Sequence, residues 1–170
     1  RYALLRSEFA VLREAALARV QPAEAQNVLV MFGGADVQDL TGASVDLLAK
    51  IGFAGHVDVV AGPLYHPLEA LRSRLSALQS SALHVHPDGI AGLMARADLA
   101  IGSPGVTSWE RCVLGLPTIA VAVAGNQEPI AESLAAAGAH WYVGRGGSFE
   151  SDYMRAIVLH ALRDPNARTA

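Results

Sequence analysis

The residues best placed to do chemistry lie in one run, Gly102-Ser103-Pro104-Gly105-Val106-Thr107-Ser108-Trp109-Glu110-Arg111-Cys112-Val113-Leu114-Gly115-Leu116-Pro117. Asp98 to Ile101 before it reads as a short buried strand, Gly102 to Gly105 as a tight loop, and Thr107 to Leu114 as a short helix. A loop between the carboxyl end of a strand and the amino end of a helix is an anion site. Free backbone N–H groups and the helix dipole both favour a phosphate there. Glu110 stands three residues into the helix, where its carboxylate can accept two hydroxyls of a ribose. Loop and acid together point to a nucleoside diphosphate carrying a sugar. The same residues allow a second reading. Thr107 and Glu110 spell T-x-x-E, a capping box in which the glutamate only reaches back to the threonine N–H. Gly115 then acts as a helix C-cap ahead of Pro117.

Other side chains in the chain have plainer expectations. Trp109 can stack on a nucleobase, although a tryptophan on a short helix is more commonly packed inside. Cys112, within an apolar helical stretch, is expected to be a buried core thiol. Asp36 and Asp39, three apart where a loop enters a helix, are expected to cap that helix. His84 and His86 alternate along one strand and so share a face. With no third ligand near them in sequence they are expected to be structural, and neither a metal site nor a cofactor is expected.

The elements that must hold these residues alternate regularly. Leu4, Leu5, Phe9, Leu12, Ala16 and Leu17 recur at helical spacing over residues 4–19. Strands are predicted over 28–32, 56–61, 82–86, 98–101, 117–123 and 140–143. Helices are predicted over 43–51, 67–78, 90–97, 107–114, 128–137 and 153–162, with the glycine-rich patch Gly144 to Ser148 as a loop. The strands are rich in Val, Ile, Leu and Ala with little alternation, so both of their faces must be covered. That predicts an α/β fold, a three-layer Rossmann-like and mostly parallel sheet of about six strands. Right-handed crossovers then bring Gly33-Gly34, Gly62-Pro63, the 102–106 loop and Gly125-Asn126-Gln127 to one rim, at the carboxyl ends of the strands where such sheets bind ligands.

Bulk properties narrow the class. The 170 residues are 52% hydrophobic and 17% charged, which excludes disorder and suits one domain with a proper core. The net charge is −3 and the 13 basic residues form no cluster, so nucleic acid is not an expected partner. One cysteine excludes an internal disulfide and a cysteine metal site. No apolar run reaches the length of a membrane span. The start, Arg1-Tyr2-Ala3-Leu4-Leu5, has neither an initiator Met nor a signal-peptide layout, as expected of a cytoplasmic protein cut from something longer.

Gly33-Gly34-Ala35-Asp36, the run 102–117 and Ala124-Gly125-Asn126-Gln127-Glu128 together resemble a known enzyme group. It is the UDP-2,4-diacetamido-2,4,6-trideoxy-β-L-altropyranose hydrolases of pseudaminic acid biosynthesis, with related spore-coat polysaccharide proteins. The group is similar to GT-B nucleotide-sugar enzymes, and the likeness runs from about Leu5 to Ala139. It implies two Rossmann-like domains with the active site between them. Residues 21–170 would form the C-terminal UDP-binding domain and 1–20 the interdomain linker and its helix. A histidine-bearing catalytic loop would lie in an N-terminal domain absent from this chain, which makes that domain an expected partner.

The resemblance also implies residue roles. Gly33 and Gly34 would approach the phosphates. Gly105, Val106, Thr107 and Ser108 would hold the diphosphate, and Glu110 the ribose hydroxyls. Asn126 would orient substrate or water at the sugar, with Gln127 beside it. Pro104 departs from the group by removing an N–H donor, and Ala35 by lacking a hydroxyl. The reaction implied is hydrolysis of a UDP-sugar, with this chain inactive alone. Two alternatives remain open: the donor half of a GT-B glycosyltransferase, and a non-catalytic nucleotide-sugar-binding module.

Overall fold

Six strands form one sheet in the computed structural model, which describes residues 5–149 and 151–169. In chain order the elements are α1 (Ser7–Ala18), β1 (Asn27–Met31), α2 (Leu40–Lys50), β2 (His56–Ala61), α3 (Leu68–Leu75), β3 (Ser80–Val85), α4 (Ala91–Arg96), β4 (Leu99–Gly102), α5 (Val106–Val113), β5 (Thr118–Ala122), α6 (Glu128–Ala136), β6 (Trp141–Arg145) and α7 (Asp152–Arg163). The strands lie in the order β3-β2-β1-β4-β5-β6, and every neighbouring pair is parallel. The predicted Rossmann-like sheet is therefore the observed one. Leu4, expected in the first helix, lies outside the described residues.

Both faces of the sheet are buried, as the unalternating strands require. Val28, Val30, Val57, Val59, Ile101 and Ile119 point to one side, where α2, α3 and α7 supply Leu48, Leu71 and Met154. Leu29, Met31, Val60 and Ala100 point to the other, against Phe9 of α1 and Leu93 and Met94 of α4. Adjacent residues along β1 thus enter opposite cores, which is why apolar side chains run through it without a break.

The glycine-rich patch departs from the expected loop. β6 continues through Gly144 to Arg145, and a short 3-10 turn covers Gly146–Ser148. Ala120 pairs with Tyr142 but Ala122 with Arg145, so β6 carries one extra residue. Gly144, at φ +100, takes the left-handed backbone at that bulge, which a side chain would strain. Composition alone cannot tell a bulge glycine from a loop glycine.

The chain reverses its direction of filling between β3 and β4. β1, β2 and β3 step outward to one edge, and α4 then carries the chain back across β1 to begin β4 on its other side. β1 and β4 are neighbours whose following loops lead away in opposite directions. The crevice between those loops is the switch point at which open α/β sheets take their ligands.

Candidate functional site at the switch point

Two loops line this crevice, one after β1 and one after β4. Met31 and Gly102 are register partners at the ends of these strands. A Cβ on Gly102 would lie 2.2 Å from the Met31 carbonyl oxygen and 2.9 Å from Nη1 of Arg111, so only glycine fits there. A Cβ on Gly33 would meet Ser103 Oγ at 3.8 Å, which puts the two loops in contact range. Gly34 and Gly105 are different. A Cβ at either would find no heavy atom within 4 Å, so both border open space.

The two helices that begin here are capped in opposite ways. At α2, the Asp36 carboxylate accepts from the Leu40 and Thr41 N–H groups at 3.0 and 2.7 Å, and Asp39 accepts from Gly42 at 3.2 Å. Asp36 and Asp39 are the expected caps, held at left-handed φ of 41° and 52°. Asp39 is itself anchored by the Tyr65 hydroxyl at 2.5 Å and by Arg74 at 2.6 Å. Burial and the hydrogen bond to Asp39 push the Tyr65 hydroxyl up from its ordinary pKa. At α5, the N-cap residue is Gly105, which has no side chain to offer. The Ser108 N–H turns back to the Gly105 carbonyl at 2.9 Å. The N–H groups of Val106 and Thr107, in the first turn, have no carbonyl behind them within the helix.

Beneath this open end lies Arg111, 2% exposed. Its Nη2 donates to the Ser103 carbonyl at 2.8 Å and to Ser108 Oγ at 3.2 Å, while its buried Nε has no partner. Burial pushes the guanidinium down to about 10. It stays protonated at neutral pH. Ser108 Oγ also accepts the Gly105 N–H at 3.2 Å. Ser108 therefore faces the loop from below, with both its hydroxyl and its N–H engaged there.

Glu110 does not form the T-x-x-E capping box. Its Oε1 accepts from Nε and Nη2 of Arg6, at 3.3 and 3.1 Å, and its buried Oε2 is without a partner. The capping reading fails because the helix begins one residue earlier than the threonine, so Ser108 occupies the third position instead. Gly115 does follow the helix with a left-handed φ of +63°, as expected of a C-cap. Trp109 is 42% exposed and Val106 is 72% exposed, so this surface of α5 is apolar and uncovered by the rest of the chain. Cys112, expected in the core, is exposed on the same short helix. Its apolar sequence neighbours pointed inward, but the face it occupies turns outward.

Asn126 and Gln127 lie in the 3-10 turn after β5, on the same rim. Asn126 is exposed, and Gln127 Oε1 accepts the Val123 N–H at 2.9 Å. Gln38 Nε2 donates to the Val123 carbonyl at 3.2 Å, linking this loop to the one after β1.

The histidine pair separates. His84 is in β3 and its Nε2 lies 2.6 Å from Asp58, which Arg96 also holds with a two-nitrogen contact. Burial works to raise the Asp58 carboxyl, but the bonds from His84 and Arg96 hold it below its ordinary value. His86 lies beyond the strand end at φ 45°, so the two do not share a strand face. A cavity of about 370 Å³ opens at the opposite rim, by Cys112, Thr118, His140 and Trp141. It lies at the amino ends of β5 and β6, and the His140 ring there is tied to the Ala131 carbonyl at 2.8 Å.

Comparison with known proteins follows the same fold. No protein-family model matches the chain. It is 33% identical over 122 residues to the uncharacterized protein MJ1062 of Methanocaldococcus jannaschii, covering 70% of this chain and 25% of that protein. It is 28% identical over 126 residues to the spore coat polysaccharide biosynthesis protein SpsG of Bacillus subtilis, covering 72% of this chain and 37% of SpsG. The chain thus spans well under half the length of these relatives.

Among solved structures, MurG of Acinetobacter baumannii matches with a TM-score of 0.71 and 16% identity, over 92% of this chain and 47% of that one. The lipopolysaccharide glycosyltransferase WaaG matches at 0.66 and 21%, over 98% and 45%. The spinosyn rhamnosyltransferase SpnG, complexed with thymidine diphosphate, matches at 0.64 and 18%, over 89% and 43%. The chain has the fold of a GT-B glycosyltransferase domain. The expectation of a UDP-sugar hydrolase is corrected here. WaaG and SpnG are named as transferases, and nothing in these likenesses supports a hydrolase. Among the described residues, no helix is long and apolar enough to cross a membrane.

Proposed function

We propose that this chain is the donor-binding domain of a GT-B glycosyltransferase, taking a nucleoside diphosphate sugar, with UDP as the nucleotide. The observation that carries the reading is the open amino end of α5 at the switch point, facing the only slightly separated loop after β1. The diphosphate sits on the N–H groups of Val106 and Thr107, over Gly105, and Gly33 and Gly34 form the opposite wall. Ser108 supports that loop from below. Glu110 receives the ribose hydroxyls, with Arg6 as its present partner. Asn126 and Gln127 approach the sugar end. Uracil extends toward the loops after β2 and β3.

The contribution of such a site is to the leaving group. Transfer of the sugar breaks the bond between its anomeric carbon and the diphosphate, and negative charge grows on the departing phosphate oxygen. N–H donors and a helix dipole fixed beforehand stabilise that charge without reorganising. The acceptor and a general base come from the rest of the enzyme, with the N-terminal domain as this domain's partner. The names of SpsG, WaaG and SpnG support a role in building a polysaccharide or another glycosylated product.

Titration calorimetry with UDP and thymidine diphosphate, followed by a crystal soaked with the tighter ligand, tests the reading. Phosphate oxygens are expected at the backbone of 105–107. A nucleotide lodged at the opposite rim, or no binding of either nucleotide, overturns it.

A further inference from the structure

Two arginines are buried among the described residues, at opposite ends of their helix dipoles. Arg168, 3% exposed, donates from Nη1 to the carbonyls of Ala161 and Leu162 at 2.6 and 3.0 Å, and from Nη2 to the carbonyl of Pro22. These oxygens include the last turn of α7, the negative end of a helix dipole, where a cation is stabilised. Its Nε, like that of Arg111, has no partner, but its other two nitrogens close the fold on backbone carbonyls.

Arg111 has the opposite setting. It belongs to the last turn of α5, yet its guanidinium reaches back eight residues to the Ser103 carbonyl. The charge therefore lies at the positive end of the α5 dipole, where a cation is disfavoured. It receives one carbonyl and one hydroxyl, and its Nε is left without a partner. No carboxylate ion-pairs with it among the described residues. Glu110 attracts it without forming an ion pair, so burying the charge stays costly.

We propose that Arg111 is a positioning residue of the nucleotide site, a buried cation whose counterion is the diphosphate bound on the loop above it. This rests on the donor-site reading given above. Arg111 does not touch the ligand. It fixes the Ser103 carbonyl away from the crevice, and it holds Ser108 Oγ where that atom accepts the Gly105 N–H. That leaves the Val106 and Thr107 N–H groups pointing outward. Its charge adds to the helix dipole in the low-dielectric base of the loop, so its effect scales with the charge of the ligand.

The test measures affinities of the full chain for uridine, UMP and UDP in three forms: wild type, Arg111→Met and Arg111→Lys. For Arg111→Met, UDP affinity should fall roughly tenfold, UMP affinity by less, and uridine affinity should not change. Arg111→Lys, which keeps the charge, should recover most of the loss. Thermal melts without nucleotide should show Arg111→Met no less stable than wild type, because an uncompensated charge has been removed. Equal loss for uridine and UDP would mean that the loop has collapsed, and would overturn the proposal, as would an unchanged UDP affinity in Arg111→Met. A lysine variant as weak as the methionine one overturns the role of the charge. Failure of the wild type to bind UDP would remove the donor-site reading as well. Loss of only the Arg111 effect leaves that reading standing.

Discussion

Helices α2 and α5 both start at the crevice between β1 and β4, each after a glycine-bearing loop, and each with its amino end toward the same space. Asp36 and Asp39 fill the first turn of α2 with carboxylates from the chain itself. Nothing equivalent closes α5, whose N-cap residue is Gly105. The self-capped end has its N–H groups satisfied and carries negative charge, so it repels an anion. The uncapped end has unsatisfied donors, a favourable dipole and a buried cation behind it. A helix start in an α/β fold is therefore not automatically a phosphate site. What decides is whether the sequence supplies its own anion.

The contrast is broken most directly at Gly105. Its φ of −157° is ordinary extended backbone and a Cβ there meets nothing, so Gly105→Val should leave the fold intact. The side chain would instead fill the place of the phosphate. UDP affinity is expected to fall about a hundredfold, the equivalent of two charge-assisted hydrogen bonds. Calorimetry gives the affinity, and an unchanged melt shows that the sheet survives. Wild-type affinity in this variant would move the diphosphate off α5.

Next in size is Glu110→Gln. Loss of a carboxylate that accepts ribose hydroxyls should weaken UDP about tenfold. The same change should weaken 2′-deoxy-UDP much less, because one of the hydroxyls is already missing. If Glu110 serves only Arg6, both nucleotides will bind the variant as they bind wild type, and only the melt will shift.

Gly34→Val tests the facing wall. Gly34 also borders open space, so a valine there is sterically tolerated by the protein. A wall that supplies no donors should cost about threefold in UDP affinity, well short of the Gly105 variant. An effect as large as that of Gly105→Val would mean that the two loops hold the diphosphate equally.

The smallest expected change in binding comes from Asp36→Asn. Asparagine tolerates the left-handed backbone, but its amide nitrogen cannot accept the second of the two N–H groups that the carboxylate takes, at about 1 kcal/mol of stability. The melting temperature should drop by about 3 °C while UDP affinity holds. Tighter UDP binding in this variant would show that the Asp36 charge had been opposing the ligand. Weaker binding would show that α2 takes part in the site.

The sheet was legible because its strands declare themselves twice, by apolar runs and by the helices needed to cover both faces. Val28 to Met31 illustrates this, with neighbours entering opposite cores. Asp36 and Asp39 were legible as caps for a local reason, a carboxylate three to five residues before the N–H groups it accepts. What sequence reasoning missed depended on distant contacts. Arg111 stood inside the quoted motif, but nothing in a linear spacing shows that a side chain in the last turn of a helix ends beneath its first. The spacing reads Glu110 as a cap or a ribose acceptor, but it caps nothing, and its partner Arg6 is 104 residues away. Gly144 belonged to a patch whose composition says loop, and only pairing with β5 turns it into a bulge. The correction of the hydrolase expectation came from likeness to whole domains, which no short motif carries.

Far from the crevice, one carboxylate decides how wide it stands. Asp98, 1% exposed just before β4, accepts the N–H groups of Gln26 and Asn27 as β1 begins, both at 2.8 Å, and Arg19 at 2.6 Å. It works as the rivet of a pair of tongs. β1 and β4 are the two arms, joined at their amino ends, and the tips are Gly33 and Ser103 at the other end. With the rivet set and Met31 locked against Gly102 near the tips, the jaws hold their gauge before any ligand arrives. A ligand entering between the tips would spend little of its binding energy on bringing them together.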